Sequence, residues 1–211
     1  MAKRSSVPKG PNNGTKVEQL KERKLAVDAL ANCGSMYLFT IIFSIFGIIF
    51  IIPQIPAAAK IALGIGFAIP VGIVQFTKGR NAGEKEYKLR NRTTLSDIHS
   101  QKINKVNPFK SLILVTPFLV SAILLSVIAV AAKAKWLQGI MLLVFIPTTL
   151  IFQGAGLIAL DETSTVTWYS VVAVVIFTVV ISAAYVAGYF FGVYSLKKRS
   201  SELINEIRSY E

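Results

Sequence analysis

The chain has 211 residues, of which 53% are apolar and 16% charged, with a formal net charge of +12. That leaves too little polar surface to enclose a water-soluble core of such apolarity, so lipid must be the solvent for most of it. The single cysteine, Cys33, excludes an intrachain disulfide and an all-cysteine metal cage, and the single histidine, His99, removes the residue most used for proton shuttling.

Residues 1–14 mix basic side chains with Ser5, Ser6, Pro8, Gly10, Pro11 and Gly14, a composition that predicts a disordered basic tail. Thr15 and Glu18 form a T-x-x-E capping box, which predicts a helix from Lys16. Over 15–34, Val17, Leu20, Val27 and Leu30 gather on one side, as expected of an amphipathic juxtamembrane helix; the plainer alternative is a solvated extension of the first span. Leu30-Ala31-Asn32-Cys33 only faintly resembles a lipoprotein box, since charge rather than an apolar run precedes it, and Cys33 is read as a structural bystander.

A transmembrane domain is expected over 35–196, with spans at 37–52, 57–76, 111–132, 136–160 and 168–196, none containing an acidic residue. Pro53-Gln54-Ile55-Pro56 is a tight hairpin that sets the first two spans side by side and antiparallel. The second span carries Gly64, Gly66, Pro70 and Gly72. The glycines read as a helix-packing face, and Lys60 near the span's start is expected to snorkel to the interface.

Residues 78–110 form a basic loop with nine basic and three acidic residues. Glu84 with Lys88 and Glu86 with Arg90 have the i,i+4 spacing that supports a helix, and Asn107-Pro108 reads as the cap of the third span. Lys78, Arg80, Lys85, Lys88, Arg90 and Arg92 are the candidate contacts for anionic lipid. Gly79 to Lys85 imitates a phosphate loop with the wrong spacing and no following hydroxyl, so no nucleotide site is expected.

The fourth span is interrupted by Pro147-Thr148-Thr149 and holds Gln153; these four positions are the candidate path for a small solute. The fifth holds Ala184, Gly188 and Gly192, a second helix-packing ladder. Tyr37, Trp136, Trp168, Tyr169 and Tyr194 stand near span ends as an aromatic belt would. Residues 197–211 are a charged tail beginning Lys197-Lys198-Arg199.

The positive-inside rule assigns the N-terminus and the 78–110 loop to the cytoplasm. Five full crossings would then put the basic tail outside and Asp161-Glu162 inside, against the rule. The expected fold is an all-α polytopic membrane bundle of about five helices, the alternative being four plus a re-entrant hairpin over 136–160.

No paired carboxylates within a span, no HExxH, no GxSxG and no Cys/His cluster occurs, so neither catalysis, a cofactor nor a metal is expected. Asp161 with Glu162 reads as a solvated loop. The sequence suggests a non-enzymatic subunit or accessory component of a larger membrane complex in secretion, transport or the envelope. The alternative is a small-solute or ion transporter working as a homo-oligomer. Anionic lipids, other membrane subunits or further copies of the chain are the expected partners. Nucleic acid is not, because no aromatic residues interleave with the basic ones. A multi-pass plasma-membrane location follows.

Overall fold

The computed structural model describes residues 13–48, 55–90, 107, 109–133, 135–157 and 168–209, with the side chains of 13–21, 90 and 203–209 left outside the description. All regular structure among them is helical: α1 (Asn13–Gly47), α2 (Ala57–Arg90), α3 (Phe109–Ala131), α4 (Lys135–Val144), α5 (Ile146–Gly154) and α6 (Trp168–Ser209). Four helices are long and apolar enough to cross a membrane, and α4 with α5, bent by 94°, counts as a fifth span if taken as one. This architecture is compatible with a multi-pass membrane protein.

Several boundaries differ from the sequence reading. α1 begins at Asn13, not Lys16, and runs without a break into the first span, so residues 15–34 extend that span rather than form a separate helix. α2 likewise continues from the apolar stretch through Lys78 to Arg90, which turns the first part of the 78–110 loop into helix. The Glu84 and Lys88 spacing already pointed that way, and nothing between Phe76 and Glu84 breaks the helix. Asn107 caps α3 as expected, its Oδ1 accepting from the Phe109 amide at 3.0 Å. The tail 1–12, Pro53–Gln54, residues 91–106 with Arg92 and His99, and the Asp161-Glu162 loop lie outside the described residues.

Side-chain contacts fix the helix directions. Asn32 donates to the Leu114 carbonyl at 2.9 Å and Tyr37 pairs with Ser121 at 2.9 Å, so α1 and α3 run parallel. Lys78 donates to Ser35 at 2.6 Å while Gly47 lies beside Phe67, so α2 runs against α1. Phe76 faces Gly188, Arg80 faces Gly192 and Tyr87 bonds Ser200 at 2.7 Å, which makes α6 parallel to α2. One end of the bundle therefore carries Lys78–Lys88, Lys110 and Lys197–Arg199 together. We call it the basic end.

The bent pair follows from these directions. α4 starts at the far end, where Gln138 donates to the Ala129 carbonyl near the end of α3 at 3.1 Å. It descends to Val144, whose carbonyl accepts from Ser44 at 2.8 Å. α5 then returns, because Pro147 and Ile151 face Gly64 whereas Gly154 faces Ala57 and Ile61. At nine residues α5 is about 14 Å long, too short to cross. Both ends of the pair lie at the far end, which matches four crossings with a re-entrant hairpin, the second of the two expected arrangements. The break falls at Phe145; Pro147 sits in the first turn of α5, where its missing amide hydrogen costs nothing.

The core joins all these helices. Phe118, Phe145, Met36, Met141, Val71 and Ile181 are each at most 1% exposed. Phe145, at the bend, stacks edge-on against Tyr37 at 6.5 Å and Phe177 at 6.1 Å. Tyr37 thus belongs to the core and not to an aromatic belt, unlike Trp136, Trp168, Tyr169 and Tyr194, all at least 60% exposed. Lys60, expected to reach the interface, is covered by protein at 6% exposure.

Candidate functional site

The closest helix approach is the seam between α2 and α6. A Cβ built on Gly188 would stand 2.0 Å from the Phe76 carbonyl oxygen, and one on Gly192 would stand 2.2 Å from that of Arg80. From the other side, Gly79 would meet the Tyr185 carbonyl at 2.0 Å and Gly83 that of Tyr189 at 2.1 Å. Two GxxxG ladders interlock, and the backbones touch only because all four positions lack a side chain. The sequence reading found Gly188 and Gly192 but missed Gly79 and Gly83. The signal was their own four-residue spacing, hidden by their place in a charged stretch.

The other expected packing residues divide. Gly64 lies against Ile151 and the Pro147 carbonyl, with a built Cβ at 2.5 and 2.6 Å, so it admits the re-entrant pair. Ala184 is half-buried on α6. Gly66, exposed, and Gly72, half-buried, pack against no described neighbour, a Cβ at either meeting nothing within 4 Å. Gly66 instead continues Ala58 and Ala62 at four-residue intervals on an exposed face of α2. Pro70 has no amide hydrogen to give the Gly66 carbonyl four residues back.

Pro147, Thr148 and Thr149 are all buried at the start of α5. Thr149 donates to the Phe145 carbonyl at 3.1 Å, which covers part of the broken ladder. The Thr148 hydroxyl and the Gln153 Oε1 are buried and have no partner among the described residues. Gln75 of α2, fully buried, leaves both amide atoms without a described partner, and so do the hydroxyls of Ser170 and Ser182 on α6. Gln75, eleven residues along α2 from the Gly64 contact with Pro147 and Ile151, stands about 16 Å along the helix from the start of α5, so the expected Thr148 and Gln153 and the Gln75 region are separate places.

At the basic end the expected lipid contacts have different duties. Lys78 donates to Ser35 and lies 4.4 Å above the Phe39 ring, tying α2 to α1. Arg80 pairs with Glu84 at 2.9 Å along α2. Lys110 pairs with Glu86, whose side chain is only 8% exposed, and this ion pair closes the base of α3 on α2. Lys85 and Lys88 stay exposed, and with Asn81, Glu84 and Leu89 they line an open groove of about 330 Å³. No group of three or more His, Cys, Asp or Glu residues that could hold a metal occurs among the described residues.

Comparison of the chain with protein-family models, with curated proteins and with solved structures finds no match.

Proposed function

We propose that this chain is a non-enzymatic integral membrane protein, a subunit or accessory component of a larger membrane complex in secretion, transport or the envelope. One observation carries the reading. The face Ala58, Ala62 and Gly66 has the spacing that lets another helix come close, yet no described helix covers it. Next to it, Pro70 leaves the Gly66 carbonyl open to a donor from outside. The internal ladders are already consumed by the α2–α6 seam, so an outside helix has this face to use.

The cations gathered at one end suit a cytoplasmic membrane surface rich in anionic lipid, each near-surface Lys or Arg contributing about 1 kcal/mol. In this reading both termini are cytoplasmic in the plasma membrane, and exposed Lys85 and Lys88 meet the headgroups.

Mild detergent extraction tests the proposal. Stoichiometric partners should copurify with the wild type and be lost from Ala62→Leu with Gly66→Leu, while the melting temperature holds. A solitary monomer from the wild type would end the subunit reading. For orientation, cysteines introduced as Lys88→Cys and Lys198→Cys, in a Cys33→Ala background, should both label only after the membrane is permeabilised. Labelling from outside would reverse the topology.

A second reading draws on the Thr148 hydroxyl and the Gln153 Oε1, both without a partner among the described residues, beside the re-entrant turn. Broken helices with open polar groups at membrane depth serve transport in other folds. A homo-oligomer whose solute flux in vesicles falls with Thr148→Val and Gln153→Leu, assembly being preserved, would favour this reading over the first.

A further inference from the structure

We infer that Gln75 and Ser182 form an intramembrane binding site for a small neutral molecule that both donates and accepts hydrogen bonds, either water or a primary amide of similar size. Gln75 is 0% exposed, and its Nε2 and Oε1 have no partner among the described residues. It lies one turn before Gly79, which faces Tyr185, so the parallel register sets it level with Ile181 and Ser182 of α6. Ser182 is 4% exposed and its hydroxyl also has no described partner.

Several other hydroxyls in the bundle satisfy themselves, though Ser170 of α6, like Ser182, does not. Thr178 donates to Val174 at 2.8 Å, Ser126 to Ile123 at 2.8 Å and Ser195 to Gly192 at 3.1 Å. Ser182 forgoes this local bond, and Gln75 on the facing turn offers two donors and two acceptor sites. Buried polar groups find partners, and in lipid the alternatives are few.

The surroundings define the ligand. Toward the basic end the Gly79 and Gly188 contacts bring backbone against backbone and close the site. Toward the far end stand Val71, fully buried, and Thr178, already bonded. Lys78, one turn away, is committed to Ser35 and Phe39 on α1. Asp28, whose charge reaches Tyr185, stays exposed on α1 and is not buried beside Gln75, so the ligand is neutral, and the close walls keep it small. The site concerns binding rather than flux, and it stands under either reading of the protein's role.

The test uses the full chain in lipid nanodiscs with 15N-labelled glutamine side chains, the Gln75 signal being assigned by its loss in Gln75→Leu. Water-edited solid-state NMR should show transfer from water to the Gln75 amide, or formamide titration should shift that amide. Transfer that formamide leaves unchanged identifies the ligand as water, and displacement by formamide identifies a solute site. Ser182→Ala should move the Gln75 signal and leave the melting temperature unraised. An amide that receives no water polarisation and ignores formamide overturns the inference, as does a Gln75 signal unmoved by Ser182→Ala. A rise in melting temperature on Gln75→Leu, the mark of a dry unpaired amide removed, overturns it independently.

Discussion

The two halves of α2 carry similar numbers of glycines and use them in opposite ways. Toward the basic end, Gly79 and Gly83 let the α6 backbone come within contact of the α2 backbone. Toward the far end, Gly64 alone receives a neighbour, while Gly66 and Gly72 face open space. A glycine count therefore says little about packing. What decides is whether the spacing matches a ladder on a second helix at the same depth and on the facing side.

That contrast can be broken most directly at the seam. Gly83→Leu should cost about 3 kcal/mol or more, because the side chain would have to displace the Tyr189 carbonyl and not a movable side chain. Loss of folded protein in detergent-resolved chromatography and thermal melts checks it; a variant that melts like the wild type would dissolve the seam. Lys110→Met comes next. It takes the lysine charge away from the covered Glu86 carboxylate, at about 2 kcal/mol given that Lys110 keeps some solvent. Adding Glu86→Gln to Lys110→Met should recover part of the loss, and a double variant no more stable than Lys110→Met would count against the ion pair.

Smaller effects sharpen the comparison. Gly64→Ala should cost about 1 kcal/mol, since the nearest atom, the Ile151 side chain, can shift but the Pro147 carbonyl resists. Gly66→Leu should change intrinsic stability by less than about 0.5 kcal/mol, its Cβ meeting nothing. Equal losses for Gly64→Ala and Gly66→Leu in the same melting assay would mean that the far half of α2 is packed throughout. Arg80→Met should be smallest of all, about 0.5 kcal/mol or less, because an i,i+4 pair on a partly exposed face is weak.

The helical class, the Asn107 cap and the role of Gly188 and Gly192 were legible in the sequence because each depends on local composition or spacing. The extent of α2 was less so. Charge after Phe76 was read as the end of a span, although charge ends the lipid contact of a helix without ending the helix. Which glycines pack could not be read, since Gly66 and Gly64 differ only in the side of α2 on which they fall. The conflict over the basic tail was visible in the charge pattern, and its resolution needed the parallel pairing of α2 and α6, a contact between distant parts of the chain. That Gln75 lacks a described partner could not be read either, since it depends on the rotamers of Ser182 and its neighbours, which no local pattern encodes.

The seam has a consequence for biosynthesis. Every residue from 84 to 187 separates Gly83 from Gly188, so a ribosome delivers α2 to the bilayer long before its tightest neighbour exists. Until α6 emerges, the Gly79 and Gly83 face is open to any passing helix, as the Gly66 face is. The order of synthesis thus makes completion of the chain the moment at which one of the two faces is withdrawn, and a nascent chain cut short before Gly188 would present both.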